Sequence, residues 1–244
     1  MDSIEQKLLE IGKERRVLME TESKAILEQW GIPTVPCEVA AARKEALRLA
    51  YSIGIPVVLK ILSPDIIHKT QAGGVRVNLA TDKDVRSAFD QIMENVRKNS
   101  PSARILGATV QEMVSGMEVA VGVTKDAQFG HVLMFGMGGV ELEHRRDTTF
   151  RLIPVGASDA DEMIREIEGY RALIAYRGQG VDLDSLRSVL LKVSDLIVAY
   201  PEIEEMDLNP VIVSSSGSVV ADARGMLASN SGWNPVKASV GSLQ

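Results

Sequence analysis

The chain has 244 residues, enough for one large domain or two modest lobes, and 45% of them are hydrophobic, enough to build a substantial core. Acidic residues outnumber basic ones 33 to 27, and the resulting net charge of -6 argues against broad binding to nucleic acid or an anionic membrane, so any phosphate must be gripped locally. No stretch approaches the roughly 18 apolar residues that span a bilayer and the N-terminus lacks a secretion signal, which predicts a cytoplasmic protein, while the lone Cys37 excludes an internal disulfide and reads as a packing residue.

Ile4, Leu8, Ile11, Val17 and Leu18 follow a loose helical spacing, so residues 1–21 form an N-terminal helical segment. A second helix runs from Glu22 to Trp30 and stops at Gly31 and Pro33, and a third runs from Ala40 to Ser52. Gly54-Ile55-Pro56 then turns the chain into Val57–Ile61, whose unbroken apolar character reads as a buried strand. Gly73-Gly74 leads into another strand at Val75–Leu79. Thr81 and Asp84 predict the capped start of a helix whose apolar face is Val85, Ala88, Phe89, Ile92, Met93 and Val96.

The second half is richer in strand. GATVQEMV, MEVAVGVT, HVLMFG and TTFRLIPV read as antiparallel strands, with turns at Ser115-Gly116 and Lys125–Gly130. Ser158 and Asp161 predict a short helix over 159–168, and Asp184 or Ser185 a longer one ending near Tyr200. Two final strands flank SSSG, and the tail over 229–244 loses periodicity. The pattern is α+β in two lobes: a small α/β lobe over 22–108, then a larger lobe with an antiparallel sheet over 109–228.

Three local features carry chemistry. Lys60 lies inside a run that is otherwise apolar; it either snorkels from a strand end or meets an anion, because a buried ammonium is costly alone. Gly73 and Gly74 offer backbone donors that can approach a phosphate, although such pairs are also common turn formers. The third feature is the hairpin EMDLNPVIVSSSGSVVADAR. With SSSG as the turn, Val213 faces Ser218, Asn209 faces Asp222 and Asp207 faces Arg224. An amide oxygen and a carboxylate placed so can share a magnesium ion, which completes its shell with water and substrate phosphates; the plainer alternative is that Asp222 pairs with an arginine. The opposite face is read as Leu208, Pro210, Ile212, Val219, Ala221 and Ala223. Both ends of the chain therefore ask for a nucleotide, yet no Walker A loop, Rossmann fingerprint, nucleophile elbow or zinc spacing occurs. What remains is a cleft between lobes.

VVLKILSPDIIHKTQAGGV, the stretch from VQEMVSGMEVAVGV to TTFRLIPV, then EMDLNPVIV and VVADAR together resemble the ATP-grasp (beta) subunit of ADP-forming acetyl-CoA (acyl-CoA) synthetases, relatives of succinyl-CoA synthetase. The resemblance runs from about Glu22 to Arg224 and implies the two-lobed ATP-grasp fold. By position it implies that Lys60 contacts nucleotide phosphates, that Glu112 and Val114 reach adenine through their main chain, and that Glu118 binds ribose. Asn209 and Asp222 match the magnesium ligands, with Asp207 beside them, and ATP or ADP is the substrate. His68 matches a histidine that carries a phosphoryl group, taken from an alpha subunit bearing the CoA-binding and acyl-CoA ligase domains and delivered to ADP, in an implied alpha2beta2 assembly. Gln71 departs from the aspartate usual after this stretch in the family.

Of the other histidines, His131 begins an apolar strand and reads as packing, and His144 among Glu143, Arg145 and Arg146 reads as a solvated or ion-paired face. Arg151 is a possible phosphate contact. Two rival readings of the whole are a carboxylate-activating ATP-grasp ligase acting alone, which leaves His68 without a role, and a nucleotide-binding partner without catalysis.

Overall fold

Two antiparallel sheets carry the chain, which a computed structural model describes over residues 3–138 and 147–229. The smaller sheet has the order β2 (Cys37–Ala40), β5 (Gly107–Glu112), β3 (Val57–Leu62), β4 (Val75–Leu79). Helices α3 (Arg43–Ile53) and α4 (Asp82–Asn99) pack against one face, where Leu49, Leu59, Ile61, Phe89, Ile92 and Val110 form a closed core. All six residues of β3 are buried, which explains its unbroken apolar run: Leu59 and Ile61 meet the helices, while Lys60 points the other way. The start of α4 is set locally, with the Thr81 hydroxyl accepting from Asp84 N at 3.2 Å and the Asp84 carboxylate accepting from Thr81 N at 3.0 Å.

The larger sheet has the order β1 (Val17–Leu18), β11 (Arg224–Leu227), β9 (Ile203–Ser214), β6 (Met117–Asp126), β7 (Gly130–Met137), β8 (Thr148–Leu152), with β10 (Gly217–Val220) also paired to β9. Its core gathers Leu133, Phe135, Leu190, Leu196 and Met206, drawing on α5 (Ala157–Glu166) and α7 (Leu183–Ala199); α6 (Tyr170–Ala175) adds Leu173. The same core takes Ile4 and Leu8 from α1 (Ser3–Glu14) and Ile26 and Leu27 from α2 (Glu20–Gln29). Among the described residues no helix is long and apolar enough to cross a membrane.

Several elements differ from the sequence expectation. Val17 and Leu18 leave the first helix to pair with Met226 and Gly225, and Ala40, expected to open the third helix, instead ends a strand over Cys37–Ala40 for which β5 offers a ladder, so that the helix starts at Arg43. The boundary at 22 is displaced as well: α2 buries its apolar side against the larger sheet, not the smaller one. At the other boundary β5 pairs β3 as far as Val57↔Glu112, so the small sheet extends past 108. The helix over 157–166 starts at Gly156, whose N–H donates to Asp159 at 2.9 Å, and α7 is capped by Asp182, which accepts from Ser185 N at 2.9 Å. Both true caps lie just before the expected ones.

The hairpin keeps its expected register at both ends, with Val213↔Ser218 and Asp207↔Arg224, but the ladder is interrupted over 221–223. Asn209 and Asp222 are therefore not a laddered pair; Asp222 N instead donates to Pro210 O at 3.4 Å. Across the next pairing Val119 faces Val211 while Val121 faces Leu208, so β9 carries one extra residue there. Such a bulge reverses which face each side chain occupies. Leu208 and Ala223 enter the main core, whereas Ile212 and Ala221 pack with Val35 on the other side, so the single apolar face read from the sequence is split in two.

Candidate active site

After β3 the chain makes a turn-rich loop over 63–74 whose ends are tied down. Asp65 accepts from Arg104 N at 2.7 Å, and the Asn95 and Asn99 amides of α4 donate to Gly73 O and Ala72 O, both at 3.3 Å. Between these anchors His68 is exposed and borders a cleft with Asp207, Asn209, Asp222 and Arg224. The cleft measures ≈ 190 Å³, below the ~300 Å³ at which small-molecule pockets usually begin, so it has room for a phosphate group but not for a whole nucleotide.

Behind the cleft lies a buried charge network. The anion that Lys60 required is Glu20, whose side chain is wholly buried at the start of α2. Lys60 Nζ donates to Glu20 Oε1 at 2.9 Å and to Ala221 O at 2.7 Å, and lies 3.3 Å from Asp222 Oδ2. Lys69, from the loop, donates to Glu20 Oε2 at 2.5 Å and to Asp222 Oδ1 at 2.7 Å. Lys24 closes the network at 3.0 Å from Glu20 and donates to Val35 O and Gln111 Oε1. Gln111 in turn donates to Ala221 O at 3.2 Å. Three ammonium groups thus converge on one carboxylate and join both sheets through it.

Burial alone would raise the Glu20 carboxyl, but Lys69, Lys60 and Lys24 reverse this and hold it far below the usual carboxylate range. Burial likewise works to lower Lys69, and the Glu20 and Asp222 carboxylates overcome it and raise the ammonium above its ordinary value. For Lys24 burial prevails and the shift is downward. Asp207 is exposed at the cleft edge, yet the protein packed around it limits its hydration and raises its carboxyl, with Arg224 opposing, Asp222 adding to the rise, and His68 and Lys69 opposing. Glu20 was not singled out from the sequence. Its spacing of four from Lys24 is a readable helix pair, but such pairs are usually on the surface, and nothing local announces burial.

Asp207, Asn209 and Asp222 border one cleft, and both carboxylate oxygens of Asp222 face ammonium groups, so this is a place that favours positive charge. Among the described residues no three His, Cys, Asp or Glu side chains group closely enough to hold a metal ion unaided. A hard ion bound by few protein oxygens and completed by water and phosphate fits that donor set.

The remaining expected residues lie elsewhere. Glu112 is exposed at the end of β5, Val114 packs on the small cluster of Val35, Ile212 and Ala221, and Glu118 is exposed on β6; none of the three borders the cleft. The expectation that Gly73 and Gly74 present amides to phosphate is corrected: Gly73 N donates to Thr70 O at 2.9 Å and Gly74 N to Lys69 O at 2.8 Å. Their glycine character has structural causes. Gly73 has φ +72°, and a Cβ on Gly74 would stand 2.5 Å from Ile61 Cγ2. Arg151 pairs with Glu166 and Glu162 of α5, and His131 is half-buried with Nε2 3.0 Å from Ile203 O. Gln71 lines the cleft beside His68, and His144 and residues 230–244 lie outside the described residues.

The chain matches the ATP-grasp domain family over residues 10–227. It is 43% identical over 216 residues to the beta subunit of acetate–CoA ligase (ADP-forming) I of Pyrococcus furiosus, covering 88% of this chain and 93% of that one. It is 44% identical over 228 residues to acetate–CoA ligase (ADP-forming) I of Archaeoglobus fulgidus, covering 93% of this chain but 33% of that longer one. Among solved structures it superposes on acetyl-coenzyme A synthetase 1 of Ca. Korarchaeum cryptofilum with TM-score 0.77 and 38% identity, over 93% of this chain and all of that one. That structure contains coenzyme A and Mg-AMPPCP, with its phosphohistidine segment pointing towards the nucleotide binding site.

Proposed function

The chain belongs to the ATP-grasp family, among the beta subunits of ADP-forming acetate–CoA ligases, and from that premise we propose that it is the nucleotide-binding subunit of such an enzyme, with His68 as its phosphoryl carrier. The overall reaction is acyl-CoA + ADP + phosphate ⇌ acid + CoA + ATP. The observation that supports this most directly is that an exposed histidine and the oxygen donors Asp207, Asn209 and Asp222, distant in sequence, border one cleft.

In the proposed half-reaction a terminal phosphate oxygen of ADP attacks phosphorus on phospho-His68. The new P–O bond forms as the N–P bond breaks, and the electron pair returns to the imidazole nitrogen. Asn209 and Asp222, with Asp207 beside them, would hold magnesium, which when bound neutralises charge on the transferring group. Lys60 is buried on Glu20 and Ala221 O and does not border the cleft, so in place of the direct phosphate contact expected from the sequence it lends its charge to the nucleotide phosphates from behind Asp222. Adenine lies on the main chain of Glu112 and Val114 and ribose on Glu118, a placement supported by their position where the small sheet hands over to the large one.

The acyl chemistry and CoA binding fall to an alpha partner, consistent with the longer Archaeoglobus relative of which this chain spans a third. We assign the pair an alpha2beta2 arrangement, to be checked by mass in solution. The direct test incubates the chain with γ-labelled ATP and magnesium. An acid-labile, base-stable label appears on the wild type and is absent from His68→Asn. No label on the wild type, either alone or with its alpha partner, overturns the carrier role.

A further inference from the structure

Glu20 stands on an element of the larger sheet and holds lysines that belong to the smaller one. It opens α2, whose Ile26 and Leu27 enter the larger core, while Lys60 comes from β3 and Lys69 from the loop that follows it. Its two oxygens divide the partners. Oε1 lies 2.9 Å from Lys60 Nζ and 3.0 Å from Lys24 Nζ, and Oε2 lies 2.5 Å from Lys69 Nζ. Asp222 is the second acid of the cluster, 3.3 Å from Lys60 and 2.7 Å from Lys69. Three ammonium groups thus face two carboxylates, and Glu20, its side chain wholly buried, bonds to all three. Replacing buried ion pairs by apolar side chains often costs no stability, so joining two sheets does not by itself call for this arrangement.

The proposed magnesium site does call for it. Asp222 cannot serve a divalent cation while it is the only counter-charge of two lysines, because ammonium groups without another anion repel the arriving metal. Glu20 supplies the other anion. Lys69 keeps its bond to Glu20 Oε2 when Asp222 turns to the metal, so His68, its neighbour, stays at the cleft where ADP takes the phosphoryl group. We infer that Glu20 is a positioning residue of the transfer: by taking up the charge of Lys60 and Lys69 it leaves Asp222 available to magnesium with His68 still in place.

The inference rests on the proposed nucleotide site, and calorimetry on the full chain, with ADP titrated in the presence and absence of magnesium, separates the two. In the wild type magnesium tightens ADP binding. In Glu20→Gln both lysines fall back on Asp222, and the factor by which magnesium tightens binding drops at least about fivefold. Glu20→Gln/Lys69→Met removes one charge of each sign and brings that factor back to within about threefold of the wild type. Damage to packing predicts the reverse, since a second buried substitution only adds to it. The double variant also decides the question by itself if the single one does not fold. An unchanged factor in folded Glu20→Gln, or a double variant that stays more than about threefold below the wild type, overturns the positioning role alone. A wild type whose ADP binding is absent or indifferent to magnesium overturns the functional reading and this inference with it.

Discussion

Strand β3 and the loop that follows it each send a lysine to the same two carboxylates, and the backbone behind each lysine decides what the contact means. Lys60 and Lys69 both reach Glu20 and Asp222, at 2.5–3.3 Å. Lys60 is carried by a buried strand bonded to a neighbour on each side, so its ion pairs are part of the folded core. Lys69 is carried by a turn held mainly at its ends, so its pairs can be exchanged without unfolding a sheet. Equal distances therefore do not imply equal permanence.

The largest expected effect breaks that comparison directly. Lys60→Met leaves Glu20 short of a buried partner and should cost roughly 3 kcal/mol or more, whereas Lys69→Met should cost roughly 1 kcal/mol because the loop can rearrange. Urea unfolding of both variants checks this, and equal losses would erase the distinction between strand and loop. Next, Asp222→Asn should weaken MgADP binding by at least about tenfold while leaving adenosine binding nearly unchanged, because only the former uses the charged oxygens. Titrating both ligands by calorimetry would show it, and equal effects on the two ligands would remove Asp222 from the metal site.

The smallest effect is in the pH dependence. The lowered Glu20 carboxyl contributes stability that is fully present above its unfolded value of about 4.5 and is lost as pH falls below that value. Asp207, raised in the folded state, acts in the opposite sense, since the folded chain holds its proton to higher pH than the unfolded chain does. The acid limb of a stability–pH profile should therefore flatten in Glu20→Gln and steepen in Asp207→Asn. A limb unchanged in Glu20→Gln would mean the network is not the acid-sensitive element.

How legible all this is in the sequence varies with the range of the forces involved. Helix α4 was readable almost residue by residue, because Thr81 and Asp84 cap it within one turn and its apolar positions repeat at the helical period. Strand β3 was readable from VVLKI, and of the two readings open for Lys60, snorkelling to the surface or meeting an anion, the structure has the second. The partner itself was not readable, since Glu20 lies forty residues away, in what the sequence assigned to an N-terminal helical segment just ahead of the helix it in fact begins. The glycine pair shows the converse error. A phosphate loop and a tight turn use the same two residues, and only the bonds to Thr70 O and Lys69 O tell them apart.

The amino-acid order by itself determined the regular elements with strong local periods, the two ends of the hairpin's register, and a set of hard oxygen donors together with one loop histidine. These depend on hydrogen bonds and side-chain alternation within a few residues of one another. The tertiary structure alone decided that α2 serves the larger sheet, that one extra residue in β9 divides the hairpin's apolar face, and that Glu20 gathers three lysines while Asp222 shares two of them. Burial and Coulomb energy depend on distances in space, and segments far apart in the chain acquire those distances only when the two sheets meet.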